Sequence, residues 1–143
     1  MSADAELLNF IYQNSQMGVE TLHQLLPMTD NEAFKKQLHA QLKEYTGIHE
    51  EAKELLNKNG CQEKEIGQFQ KIMTYLAIDM KTMTDKSASH MAEMLILGSV
   101  RGIIDCIKRI RQYEGEAEKE IVELMNRLLK FEENNMEQLK EFL

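Results

Sequence analysis

The fold class of this chain is decided by the stretch from Lys119 to Leu143, KEIVELMNRLLKFEENNMEQLKEFL. Its apolar residues recur in steps of three and four, which places them on one face of an α-helix. Glu132 and Asn135 also fall on that face, so a carboxylate and an amide stand where a bundle helix normally buries apolar side chains. The face, which we call the seam, consists of Ile121, Met125, Leu128, Glu132, Asn135, Leu139 and Phe142.

The same periodicity extends over most of the chain. It predicts helices at about 4–26, 30–58, 63–83, 88–113 and 116–142. Thr29 and Glu32 form a capping-box pattern for the second helix. One proline and seven glycines in 143 residues leave too few turn signals for a β-sandwich. The sequence therefore predicts a single all-α domain over residues 1–143.

Helix lengths and turns predict how the helices are arranged. Short turns join the first helix to the second and the fourth to the fifth, so each pair is predicted to form an antiparallel hairpin. The helix at about 63–83 reaches roughly 30 Å at the standard rise, which suffices to return the chain along the bundle. Two long hairpins with a long crossover are the arrangement of ferritin-like bundles. An up-and-down five-helix bundle is the alternative that the pattern leaves open.

Composition excludes several classes of function. A net charge of −7, from 17 Lys and Arg against 24 Asp and Glu, disfavours binding to nucleic acid or to anionic membranes. The longest apolar run, Met94 to Val100, is far shorter than the roughly 20 residues that span a bilayer. No secretory signal is visible at the N-terminus. Two cysteines, Cys61 and Cys106, fit reduced thiols, and we therefore expect a cytoplasmic protein.

Polar residues at seam positions are the most informative feature of the chain. Counting residues from the predicted turns places them in one layer near the middle of the bundle. A hydrogen-bonded polar core that fixes helix register is the first interpretation of such a layer. An altered metal site is the second. The predicted layer consists of Ser15, Gln41, Ser99, Glu132 and Asn135.

Three tracts resemble a group of small bacterial ferritin-like bundle proteins of uncharacterised function. They are TDKSASHMAEMLILGSVRGIID from Thr84 to Asp105, the C-terminal stretch quoted above, and the opening LLNFIYQN. The resemblance covers nearly the whole chain. It implies a ferritin-like fold, in which the wider superfamily builds a two-metal site from single Glu residues and Glu-x-x-His pairs.

Carried over by position, the resemblance implies a degenerate metal site in this chain. Only Glu132 keeps a metal-ligand side chain of the expected kind, and such a set suits iron or manganese poorly. The matching positions are Ser15 and Ser99 for the single carboxylates, and Gln41-x-x-Glu44 and Glu132-x-x-Asn135 for the Glu-x-x-His pairs.

Histidines supply the remaining metal candidates. His49 flanks the seam of the second helix and joins Glu132, Gln41 and Glu44 in the alternative set that would hold iron or manganese. Two further pairs are lesser candidates, because one lies on an outer face of the first helix and the other, at the start of the fourth, fits a capping histidine beside a salt bridge to Arg101. These are Glu20 with His23 on the first helix and His90 with Glu93 on the fourth.

Apolar residues off the seams predict self-association. Phe10 and Met17 form a predicted outer stripe on the first helix. The fourth helix carries a second apolar face, which either the crossover helix or an identical subunit would cover. That face consists of Met94, Leu97, Val100 and Ile104.

The sequence therefore favours a non-catalytic interaction protein without a cofactor, which forms a homo-oligomer, with a dimer favoured. A metal-binding protein for iron handling or oxidoreductase chemistry, centred on Glu132, is the alternative. A carrier of a small apolar ligand between the helices is a third hypothesis.

Overall fold

The computed structural model describes residues 2–61, 63 and 83–143, and every regular element among them is a helix. The all-α prediction is confirmed for these residues. The helix predicted at about 63–83 lies almost entirely outside them. The α-helices are α1 (Ala3–Leu25), α2 (Glu32–Lys58), α3 (Ala88–Gln112) and α4 (Lys119–Leu139), with 3-10 turns at Leu26–Met28 and Lys140–Phe142.

Side chains cap the beginnings of three helices. Asn31 accepts a hydrogen bond of 2.9 Å from the Phe34 backbone nitrogen at the start of α2. The predicted capping box of Thr29 and Glu32 is therefore wrong by two residues, because Glu32 is already the first helical residue. The Thr29 hydroxyl instead accepts from the Asn31 nitrogen at 3.3 Å. Ser2 and Ser87 cap α1 and α3 in the same way as Asn31.

Contacts along α2 give the direction of its two neighbours. Ser15 near the middle of α1 meets His49 in the second half of α2, as expected for an antiparallel hairpin. Lys58 at the end of α2 lies 3.5 Å from Glu120 at the start of α4. Helix α4 therefore also runs antiparallel to α2.

Contacts at the helix ends give the direction of α3. Asp4 at the start of α1 accepts from the Glu118 nitrogen just before α4, at 2.9 Å. Ser89 at the start of α3 lies 3.5 Å from the Leu143 carbonyl oxygen, beyond the end of α4. Helices α1 and α4 thus run one way and α2 and α3 the other. Helix α2 ends at the opposite end of the bundle from the start of α3.

Two apolar clusters fill the bundle, one toward each end. The first joins the beginnings of α1 and α4 to the end of α2, and it includes Leu8, Ile48 and Met125. The second joins the end of α1 to the beginnings of α2 and α3, and it includes Leu25 and Phe34. The polar seam residues fall between these clusters.

The predicted outer stripe on α1 is wrong. Phe10 and Met17 are buried, with 3% and 8% of their surfaces exposed, and the Arg109 guanidinium lies 4.4 Å from the centre of the Phe10 ring. A single-seam pattern does not describe α1, because this helix is buried on more than one face.

Helix α3 keeps part of its predicted second apolar face at the surface. Leu97 and Ile104 are 65% and 41% exposed, whereas Met94 is buried. Among the described helices, none has the length and apolar character needed to cross a lipid bilayer.

Candidate functional site

All five residues of the predicted polar layer are buried, with at most 4% of each exposed. They do not form one connected cluster. Glu132 of α4 is the centre of the larger group, which takes Ser99 from α3 and Tyr45 from α2. Ser15 lies apart from it and has its own partners.

Glu132 is held by hydroxyl groups from two other helices. The Tyr45 hydroxyl donates a hydrogen bond to the Glu132 Oε1 atom. The second carboxylate oxygen, Oε2, packs against the backbone of α3 at Gly102, where an added Cβ atom would lie 3.0 Å from it. The small residue at this position therefore leaves room for the carboxylate.

The ring of Tyr45 is positioned by tight packing on both sides. A Cβ atom added at Gly18 of α1 would lie 2.6 Å from the ring, so only glycine fits there without displacement. Phe131 meets the ring edge-on, with 4.6 Å between ring centres. This packing directs the Tyr45 hydroxyl at Glu132.

Burial controls the protonation of this pair. Removal from water raises the pKa of Glu132 from 4.5 to about 7, because the charged form is disfavoured in the core. The Tyr45, Ser99 and Asn135 side chains act in the opposite direction and lower the pKa, but they do not outweigh burial. Burial and the neighbouring carboxylate raise the pKa of Tyr45 well above its usual value. The phenol therefore stays a hydrogen-bond donor.

A cavity adjoins the Glu132 carboxylate. It offers about 40 Å³, where one water needs roughly 10–15 Å³ on the same measure. All four helices contribute to its wall, and the polar side chains there come from α1, α2, α3 and α4. Its polar lining consists of Asn14, Thr21, Gln41, Tyr45, Ser99 and Glu132, and its apolar lining of Met17, Met94 and Leu95, with Gly18 and Gly98.

Two amide groups in this region are incompletely bonded within the described structure. The Gln41 Nε2 and Asn135 Nδ2 atoms are buried without a hydrogen-bond partner. Asn135 lies close enough to the carboxylate to lower its pKa, but its nitrogen is outside hydrogen-bond geometry. An unpaired buried donor costs about 1–3 kcal/mol. Of these two residues, Gln41 is the one that lines the cavity.

Ser15 and His49 form a separate contact between α1 and α2. The Ser15 hydroxyl lies 2.7 Å from the Ile11 carbonyl oxygen, to which it donates. The His49 Nδ1 atom lies 3.2 Å from Ser15 Oγ, and its ring stacks on Tyr12 with 4.3 Å between centres. Neither residue lines the cavity, so Ser15 lies outside the group around Glu132, contrary to the prediction of a single layer.

Glu44 faces away from the polar layer. It forms an ion pair with Arg127 of α4, and the same guanidinium lies 2.7 Å from Glu51. Of the alternative metal set, only Glu132 and Gln41 share the cavity, while Glu44 and His49 are bonded elsewhere. Within the described ranges no three His, Cys, Asp or Glu side chains group closely enough to hold a metal ion. One carboxylate with hydroxyl and amide neighbours does not fit a two-metal centre.

The lesser metal candidates lie on the surface. His23 is exposed, and Glu20 accepts from the Gln16 amide at 3.2 Å. His90 Nδ1 lies 3.9 Å from Glu93 Oε2, and Glu93 is exposed. These pairs are consistent with ordinary surface contacts on a helix.

Sequence reasoning missed two features of the site. It assigned no role to the Tyr45 hydroxyl, although a buried Tyr hydroxyl usually needs a partner. It also assigned no role to Asn14 and Thr21, which are both buried on α1 and line the cavity. Their signal was present in the sequence, as two polar residues spaced seven apart, but on a face of α1 that was not expected to be buried.

Comparison with protein-family models, with curated proteins and with solved structures found no match to this chain. Any function must therefore be argued from the geometry of the site.

Proposed function

We propose that this chain is a ferritin-like bundle that works without a two-metal centre, as a non-catalytic protein that acts by association. The directions of the four helices support the ferritin-like part. Two antiparallel hairpins in which α2 and α3 run the same way are what a long crossover produces.

The bonding of Glu132 is the observation that carries the proposal. Its carboxylate is engaged by the Tyr45 hydroxyl from inside the bundle. A two-metal centre needs several anionic oxygens and imidazoles, and Glu44 is instead neutralised by Arg127. The layer thus satisfies its one carboxylate with protein hydroxyls, which favours a structural role.

The metal-binding alternative requires more rearrangement. Glu44 would have to leave Arg127, and His49 would have to leave Ser15 and its stack on Tyr12. Iron or manganese bound at Glu132 therefore remains the second candidate function.

Elemental analysis of protein purified without chelators tests the metal part. We expect no stoichiometric iron, manganese or zinc. A matched pair of variants sharpens the experiment: Glu132→Gln removes the buried carboxylate, and Glu133→Gln removes its exposed neighbour on the same helix. Metal that is present in the wild type, retained in E133Q and lost in E132Q would contradict the proposal.

Self-association is supported by the exposed part of α3. Leu97 and Ile104 lie seven residues apart, on one helical face, and both are exposed among the described residues. A homodimer in a reducing, cytoplasmic compartment is the form we propose.

Light scattering should find a dimer for the wild type and a monomer for L97S/I104S. Leu143→Ser, at the exposed C-terminus, is the control and should leave the dimer intact. A monomeric wild type would refute this part.

A further inference from the structure

Two groups beside the cavity have requirements that the described residues do not meet, because the Gln41 amide lacks a hydrogen-bond acceptor and the hydroxyl-bonded Glu132 carboxylate lacks a countercharge. Gln41 is 97% buried, and its Nε2 donor has no acceptor among the described residues. The Glu132 carboxylate has hydroxyl donors, but the described residues that line the cavity include no Lys, Arg or His. A buried carboxylate without a cation is costly unless a partner supplies the opposite charge.

A single small molecule can meet both requirements if it carries a cation and an oxygen acceptor. We propose that the cavity binds a small amino alcohol, whose ammonium group contacts the Glu132 carboxylate and whose hydroxyl oxygen accepts from Gln41 Nε2. The inference rests on the part of the proposed function that leaves Glu132 free of metal, and it does not need self-association.

The size of the cavity limits this ligand. About 40 Å³ corresponds to roughly three waters, which take about 90 Å³ of liquid volume. The smallest stable amino alcohol, 2-aminoethanol, is of this size. Ligands with longer chains would have to displace side chains of the wall.

The lining of the cavity suits the remaining parts of such a molecule. Met17, Met94 and Leu95 offer apolar surface to the methylene groups, and methionine adapts readily to small ligands. The ammonium group carries further protons that it does not donate to Glu132. The hydroxyl oxygens of Ser99 and Thr21 are available to accept hydrogen bonds from these. The wall is therefore apolar with a few convergent polar groups, as in most small-molecule sites.

Titration of the full chain with three molecules of equal size tests the inference. These are 2-aminoethanol, ethane-1,2-diol, which lacks the cation, and propylamine, which lacks the acceptor. Calorimetry or NMR at pH 8, where the amines are protonated, should show saturable binding of 2-aminoethanol. Each analogue should bind at least 10-fold more weakly. No saturable binding of 2-aminoethanol, or equal binding of the diol, would overturn the proposal.

Variants assign the two contacts. In Gln41→Met the preference for 2-aminoethanol over propylamine should disappear, and in Glu132→Gln the preference over the diol should disappear. Gln138→Met, on the exposed side of α4, is the matched control and should keep both preferences. Preferences unchanged in Q41M and E132Q would refute the site. The wild-type titration decides the proposal even where a variant fails to fold.

Discussion

Glu132 combines full burial with an ionisable side chain, and this makes the stability of the bundle depend on pH. Its pKa is raised to about 7 in the folded chain, against 4.5 as the ordinary value. Between these two values the folded state holds a proton that the unfolded state has released. Glu132 therefore stabilises the fold below about pH 4.5, and the contribution is lost as pH rises through 7.

Replacing Glu132 by Gln should remove this pH dependence. We expect the free energy of unfolding of E132Q, relative to that of the wild type, to rise by about 3 kcal/mol between pH 4.5 and 8. Urea denaturation at several pH values measures the difference. Glu133→Gln, at an exposed neighbouring position, should track the wild type. Parallel curves for E132Q and the wild type would show that the carboxylate keeps an ordinary pKa.

The Tyr45 hydroxyl should contribute to stability through the same carboxylate. Tyr45→Phe keeps the packed ring but leaves Glu132 without the hydrogen bond from the phenol, so we expect a loss of about 1–3 kcal/mol. The pKa of Glu132 should rise further, because the Tyr45 hydrogen bond lowers it. Thermal and urea denaturation measure the loss, with Tyr113→Phe as the control. An equal effect of the two substitutions would argue against this role.

At the scale of helices, α1 and α2 approach closely where Gly18 meets the ring of Tyr45. Gly18→Ala would place a methyl group 2.6 Å from the ring, and the ring is fixed by Phe131 and Glu132. We expect a loss of about 1–3 kcal/mol from overpacking, despite the higher helix propensity of Ala.

Gly98 of α3 is the matched control for that substitution. No atom of the described residues lies within 4 Å of a Cβ atom added there, so we expect Gly98→Ala to stabilise the chain by about 0.5–1 kcal/mol. Denaturation of both variants under the same conditions compares them. Stabilisation of G18A would mean that α1 and α2 are less closely packed than described.

The extent of the helices was predicted better than their burial. The bounds of α2 and α3 agree with the predicted 30–58 and 88–113 to within two residues, because periodicity and turn residues coincide there. The bounds of helix α1 were predicted, but its burial was not, since Phe10 and Met17 lie off the seam and are nevertheless buried. Periodicity identifies one buried face and gives no information about a second neighbour.

The candidate site was predictable only in part, for a related reason. The burial of Glu132 follows from its seam position, and the structure bears this out. Which side chains meet across helices depends on rotation and relative height, which are not encoded in the spacing of one helix. Ser15 therefore contacts His49 and not Gln41, and Glu44 forms an ion pair with Arg127.

At the scale of the whole molecule, the two hairpins are linked by ion pairs between α2 and α4. Arg127 bridges Glu44 and Glu51 at the surface. Exposed pairs of this kind contribute about 0.2–1 kcal/mol and are screened by salt. Their role is mainly to fix how the hairpins align.

Arg127→Met should therefore destabilise the chain only modestly, by less than about 1 kcal/mol at low ionic strength. The difference from the wild type should shrink in about 1 M salt. Urea denaturation at both ionic strengths measures it. Lys140→Met is the control, because Lys140 forms an ion pair with Glu137 of the same hairpin. A large loss that salt does not change would indicate packing by the Arg127 stem instead.

The two cysteines differ in exposure, and this difference allows the opening of the bundle to be measured by thiol alkylation. Cys106 is fully buried, and burial raises the pKa of its thiol, whereas Cys61 is partly exposed. A thiol-alkylating reagent should modify Cys61 in the folded protein and reach Cys106 only when α3 separates from the core. The rate at which Cys106 is alkylated then reports how often the folded bundle opens. The measurement needs no denaturant and no probe attached beforehand.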